Sequence, residues 1–298
     1  PACPGLHSLA PTVAELRAWI DWTPFFRTWQ LAGRFPALLD DAVVGEQARK
    51  LLVDAQAMLD GIEAEGWLQP KGVVGLFPAA RDGDDLLVND GESGAARRIP
   101  MLRQQARKSR DQPNRSLVDL LDAVGPGGKL TDHVGAFAVQ AGEGVAERVA
   151  AFKAADDDYQ AILLESLADR LAEAFAEWLH RHVRTHLWGY AKGEDLDLQG
   201  LIKEDYEGIR PAPGYPACPD HTEKDKLFAL LQAGRVGVSL TETFAMNPAA
   251  SVSGLYFSHP LAKYFSVGKI TEDQVADLAR RKSADLNTLR RLLAPNLD

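Results

Sequence analysis

The residues best suited to chemistry gather in one stretch, 208–221, which reads GIRPAPGYPACPDH. Its four prolines and two glycines forbid a regular helix or strand, so the backbone must be a fixed, extended turn. A guanidinium on such a loop, Arg210, suits bidentate capture of a carboxylate, and Gly214 lets backbone and ligand approach closely. Tyr215, Tyr264 and Phe265 offer flat walls for a purine, or a π face for a cation worth roughly 0.5 to 2 kcal/mol. Asp21 is expected near the C-terminal end of a helix over 12–22. There it would oppose the helix dipole and either remain solvated or await a cationic ligand group. Together these groups would suit a zwitterionic amino acid joined to an adenosine.

Other chemistries are less well served. Cys218 and His221 have the types of a thiol nucleophile and its base, but residues three apart in a proline-bound loop seldom aim at each other. His182 and His186, four apart, would share a helix face and invite a metal-hydrolase reading with His180. That pattern lacks the Glu of a zinc protease helix, and dipole capping with packing competes with it. Zinc is therefore not expected, and no catalytic side chain is assigned. A dinucleotide fingerprint, a P-loop and a G-x-S-x-G elbow are absent. Asp82, Asp84 and Asp85 mark a hairpin tip, since the spaced ligands of a calcium loop are missing. Six basic residues over 97–110 read as a solvated strand-to-loop segment, or as a docking patch for an acidic partner.

The elements that must position these groups follow from periodicity. Thr12 and Glu15 form a capping box for the helix over 12–22. Apolar residues at 3.6 spacing predict Gly45–Glu65, closed by Gly66, and a long core helix over 156–188. Strand patterns cover 72–79, 86–88 and 133–140, and paired strands are expected over 241–260 and 263–270. Further helices are expected over 118–124, 222–232, 271–282 and 285–293, the third opened by a second capping box of Thr271 and Gln274. With no βαβ rhythm, the expected fold is α+β: one domain, 12–298, with a central, largely antiparallel twisted sheet flanked by helices, after an N-terminal tail over 1–11.

Composition bounds the function. The chain has 298 residues, 46% hydrophobic and 25% charged, enough for a sizeable core. A net charge of −9 repels phosphate backbones, so nucleic acid is not an expected partner. No apolar run reaches the roughly 18 to 20 residues that span a bilayer, so no membrane partner is expected either. Two distant cysteines, one in a frayed end, fit a reducing cytoplasm. Without an initiator Met, the string reads as a processed chain or a piece of something longer.

Long blocks of uncommon residues carry a resemblance. Asp21-Trp22-Thr23-Pro24-Phe25-Phe26, Gly72-Val73-Val74-Gly75-Leu76-Phe77-Pro78-Ala79, Leu167-Ala168-Asp169-Arg170-Leu171-Ala172-Glu173-Ala174, the loop over 210–221 and Ser251-Val252-Ser253-Gly254-Leu255-Tyr256-Phe257-Ser258-His259-Pro260 resemble the C-terminal activation domain of cobalamin-dependent methionine synthase. The similarity spans about 13–297; Asn247 stands where that family often has Trp, and the segment over 90–98 looks short.

The resemblance implies an S-adenosylmethionine-binding module that serves reductive methylation of a cobalamin carried by a partner domain, with electrons from flavodoxin or a flavoprotein reductase. Arg210 would pair with the methionyl carboxylate, and Ala212, Gly214 and Tyr215 would line the ligand. Asp21 would hold a polar or cationic group of the ligand, and Tyr264 with Phe265 would flank it. Glu173 matches an acidic residue of the family's pocket, although periodicity alone would leave it solvated. Methyl transfer from a sulfonium to a strong nucleophile needs alignment more than acid or base. A non-catalytic module that senses the same ligand and recruits a reductase is the rival expectation.

Overall fold

A computed structural model describes residues 1–89, 96–109 and 111–298. Residues 90–95, part of the segment that looks short, and Arg110 of the basic stretch lie outside the described residues. The chain opens with β1 (Gly5–Leu9), α1 (Val13–Arg17), α2 (Trp22–Thr28) and α3 (Gly45–Glu65). Strands β2 (Lys71–Asp82), β3 (Asp85–Val88), β4 (Arg97–Pro100) and β5 (Asp132–Gln140) follow, then helices α4 (Val145–Ala154), α5 (Asp158–His182), α6 (Leu198–Ile202) and α7 (Glu223–Leu231). The last third holds β6 (Ser239–Leu240), β7 (Met246–Asn247), β8 (Ser251–Tyr256), α8 (Glu272–Lys282) and α9 (Leu286–Leu292).

The main sheet is antiparallel, in the order β4-β3-β2-β5-β8, and β1 pairs with the first half of β2. This is the α+β architecture that the patterning predicts. β2 and β5 are buried along most of their length because both faces of the sheet are covered. Side-chain alternation splits them: Val74, Leu76, Phe137 and Val139 pack with α1 to α5, while Val73, Phe77, Val134, Ala136 and Ala138 pack with α7. A smaller cluster joins α8 and α9 to Leu102, Val267 and Ile270.

Several boundaries differ from the expectations. The proline- and glycine-rich N-terminus does not fray, because β1 satisfies its backbone on the edge of β2 and Cys3 N–H donates to Leu187 O at 2.8 Å. The expected helix over 12–22 breaks after Arg17, and the chain restarts as α2. Over 118–124 there is a single 3₁₀ turn, Leu117–Leu120, closed by Ser116 and Asp119, with Leu121 already extended. α5 runs on through a π-helical turn, Val183–Leu187. No strand forms over 263–270. The free edge of β8 is taken instead by the proline-rich loop, where Ile209 pairs with Phe257. Nor does Gln274 cap α8: its side-chain amide bonds the backbone N–H and C=O of Arg103 at 2.6 and 2.8 Å, docking that helix beside β4.

Candidate functional site

The loop over 208–221 is fixed from both sides. Ile209 exchanges two 3.0 Å hydrogen bonds with Phe257, and Leu255 N–H donates to Pro211 O at 2.8 Å. Gly254 makes this approach feasible, since a Cβ there would lie 2.8 Å from Pro211 O. Beyond Pro211 the chain turns away from β8: Tyr215 N–H donates to Ala212 O, and Gly214 N–H to Cys218 O at 2.7 Å. Gly214 has φ of +93°, and a Cβ on it would lie 2.3 Å from the His221 ring, so both conformation and space require glycine.

Arg210 sits at the centre. Its backbone N–H donates to Tyr264 Oη at 3.0 Å, and Tyr264 Oη lies 3.2 Å from Tyr206 Oη. Its guanidinium donates from Nη2 to Glu177 Oε1 of α5 at 2.6 Å, with the two side chains 17% and 19% exposed. Burial works against the Arg210 charge, but the Glu177 carboxylate outweighs it and raises the pKa above the ordinary arginine value. Arg210 Nη1 and Glu177 Oε2 are both buried, without a hydrogen-bond partner among the described residues. A buried guanidinium fork with one prong unused is half of a carboxylate site.

Two cavities meet at this arginine. The smaller, about 220 Å³, lies between the start of α2 and the middle of α5 and is lined by Trp19, Asp21, Pro24, Glu173, Glu177 and Arg210, among others. The larger, about 400 Å³, is lined by Phe137, Ala212, Tyr215, Met246, Tyr264 and Phe265, among others. Glu173, Glu204 and Arg210 line both and form the waist of one continuous cleft. An acidic and cationic waist between an aromatic chamber and a small polar one fits an elongated zwitterion carrying a flat base.

Seven of the eight residues named from the sequence line this cleft; the eighth, Gly214, shapes the loop behind it. Asp21 reaches it by a different route from the expected one. It is the N-cap of α2, accepting from Thr23 N–H at 3.0 Å, so the helix dipole favours its charge. Glu173 is half-buried in the waist, not solvated. Glu177 and Glu204 were not named from the sequence. For Glu177 one signal was present: it lies one helical turn after Glu173 and shares its face.

Burial raises the Glu173 carboxyl pKa, against the opposing pull of Arg210 and Arg170. The folded domain therefore holds that proton more tightly than the unfolded chain, and stability is lost as pH rises from about 4.5 through the raised value. Glu173→Gln is expected to increase the thermal midpoint of the ligand-free domain at pH 7, with the gain vanishing below pH 4.5 as the Glu173 carboxyl protonates in the folded and the unfolded chain alike. Paired melts at the two pH values check this; an equal gain at both would contradict it.

Among the described residues the rival chemistries find no geometry. Burial, with Glu223 and Asp220 nearby, pushes the Cys218 thiol well above its ordinary pKa, opposite to what a nucleophile needs. His180 is fully buried and stacks on Tyr256 at 5.0 Å between ring centres, whereas His182 stacks on Trp178 and His186. Among the described residues no three His, Cys, Asp or Glu side chains gather as a metal cage. Within the basic stretch, Arg98 pairs with Asp82 and Asp85, and Arg103 with Asp84 and Asp119, while Arg107 and Lys108 stay exposed. No described helix is long and apolar enough to cross a membrane.

The family model described as vitamin B12 dependent methionine synthase, activation domain, matches residues 12–283. The solved MetH reactivation domain bound to AdoHcy superposes with a TM-score of 0.94 at 49% identity, over 99% of this chain and 91% of that one.

Proposed function

The chain belongs to the activation-domain family of vitamin B12-dependent methionine synthase, and we propose that its cleft binds S-adenosylmethionine and presents the methyl group to a cobalamin held by a partner domain. The observation that carries this reading is the buried Arg210 fork, with Nη1 unpartnered among the described residues, between a flat-walled chamber and an acidic one. The bound sulfonium would supply an activated methyl carbon, and the partner's reduced cobalamin would be the nucleophile that takes it.

Everything else falls to the chain's own side chains. Arg210 takes the ligand carboxylate on Nη1 while Glu177 keeps the guanidinium plane fixed. Asp21 and Glu173 provide negative charge for the α-ammonium. Tyr215, 63% exposed, and Tyr264, 37% exposed, flank the mouth, so the methyl carbon can face outward without leaving the aromatic wall. A transfer whose leaving group is a neutral thioether demands alignment more than acid or base. Flavodoxin or a flavoprotein reductase would supply the electron to the partner's cobalamin in a cytoplasmic cycle.

The test is transfer of label. The domain is mixed with a cobalamin-loaded partner domain, a reductant and S-adenosylmethionine labelled in the S-methyl group. Labelled methylcobalamin is the expected product. Tight ligand binding without label in the corrinoid would instead support a sensing and docking module.

A further inference from the structure

We propose that Ser253 of β8 reads the base of the nucleoside, an inference that rests on the S-adenosylmethionine reading of the cleft. β8 is the edge of the main sheet, and its outer side is only half covered by the loop. Leu255 and Phe257 send their N–H groups outward to Pro211 O and Ile209 O. In an antiparallel ladder alternate residues point to the same side, so the N–H and C=O of Ser253 face that outer side as well. The next loop residue that would meet them is Pro213, whose missing N–H leaves the Ser253 C=O without a donor there, and the turn closed by Tyr215 N–H on Ala212 O carries the Pro213 C=O away from the Ser253 N–H. Among the described residues the loop thus makes no backbone hydrogen bond to Ser253, and the larger chamber lies against this edge, lined by Ser251, Val252 and Ser253.

The side chain of Ser253 adds a second, independent observation. The residue is 4% exposed, and its Oγ has no hydrogen-bond partner among the described residues. Ser251, two residues earlier, is different: its hydroxyl donates to Pro248 O at 2.7 Å. A buried hydroxyl and an outward N–H left unpaired at a cavity wall are what a polar ligand edge would satisfy.

The choice between ribose and base follows from what else lines the cleft. A carboxylate suits a ribose diol, and Glu204 stands at the waist, beside Arg210. The base then occupies the chamber beyond, among Phe137, Tyr215, Met246 and Phe265, where Ser253 lies. An adenine edge presents a ring-nitrogen acceptor beside an amino donor. The Ser253 N–H meets the first and its Oγ the second. A 6-oxopurine reverses both roles, placing a ring N–H opposite the backbone N–H.

Calorimetric titration with S-adenosylhomocysteine and its deaminated analogue S-inosylhomocysteine tests this. The wild-type domain is expected to bind the adenosyl compound at least tenfold more tightly. Ser253→Ala should weaken the adenosyl compound by about five- to tenfold and leave the inosyl compound within twofold, collapsing the preference. Equal weakening of both ligands, or none, would overturn the role of Ser253 while leaving the S-adenosylmethionine reading intact. Failure of the wild-type domain to bind S-adenosylhomocysteine would sink that reading itself. Ser253→Thr, which keeps the hydroxyl, should retain the preference even if the added methyl lowers the melting temperature; a Thr variant that folds yet has lost the preference counts against the proposal.

Discussion

Arg210→Ala is expected to weaken S-adenosylmethionine binding by roughly 10- to 150-fold, the loss of about 1.5 to 3 kcal/mol that accompanies removal of a hydrogen bond to a charged group. Isothermal titration measures it directly. The magnitude comes from two sources: the Nη1 prong, unpartnered among the described residues, no longer meets a carboxylate, and Glu177 loses the guanidinium that neutralises it in a half-buried site. Repeating the titration with 5′-methylthioadenosine, which has no carboxylate, separates the two. That ligand should bind the variant within about threefold of wild type. Wild-type affinity for S-adenosylmethionine in a folded Arg210→Ala domain would remove the arginine from the site. Glu177→Gln, which keeps a hydrogen-bond acceptor but not the charge, should fall between the two.

The second large effect concerns how the ligand loop is anchored. Lys282, in the last turn of α8, places its ammonium against Asp220 and Glu223 and donates to Thr222 Oγ1 at 2.6 Å. The three charged side chains are only 9%, 4% and 2% exposed. Burial works against the lysine charge, but the two carboxylates outweigh it and raise its pKa. A cationic group with a raised pKa gives its full stabilisation below the ordinary value of 10.5 and loses it only at more alkaline pH, so at pH 7 the whole effect is present. Lys282→Met leaves the buried Asp220 without its cation and Glu223 with only the more exposed Lys226, at 3.0 Å, and should cost about 3 to 5 kcal/mol. A urea titration reads this as a lower midpoint at unchanged slope. A loss below about 1 kcal/mol would show the pair to be solvated in solution. Because Asp220 ends the loop that carries Arg210, ligand affinity should fall as well, and adding Asp220→Asn should restore part of the stability by removing one orphaned charge.

The contrast between these two sites shows what a sequence can disclose. The proline spacing from Pro211 to Pro219 already dictated a rigid loop, because proline restricts its own φ and the residue before it. An arginine and a tyrosine on such a loop were legible as candidate binding groups for the same local reason. Lys282 gave no such signal. Its partners lie about sixty residues away, and nothing in the Thr271 to Lys282 pattern distinguishes it from a solvated lysine at a helix end. Glu173 and Glu177 stand off the apolar stripe of α5, and periodicity reports only which face meets the apolar core. It is silent about a second, polar face pressed against a loop.

Asp21 illustrates the opposite outcome. The residue lines the cleft, but the dipole argument attached to it had the wrong sign, because the helix it belongs to starts after it and does not end near it. The signal for that break is weak: Ala18 is a good helix former, and the restart is held by packing of Trp22, Phe25 and Phe26 in the core.

By itself, then, the chain's order of residues determined the long helices α3 and α5, the strands β2, β3 and β5, and the stiffness of the loop that bears Arg210. Each of these rests on periods or steric restrictions that act within a few residues. Tertiary structure decided which edge of β8 stays open, which acid faces Arg210, and that residues 263–270 remain irregular. Those outcomes depend on which distant segment reaches a shared surface first: Arg210 meets Glu177 across 33 positions, and once Ile209 and Pro211 have paired with β8 the edge at Leu255 and Phe257 is taken and 263–270 cannot pair there. Competition for an unpaired backbone edge is settled in three dimensions, and in this domain the same competition leaves open the stretch of β8 where the cleft lies.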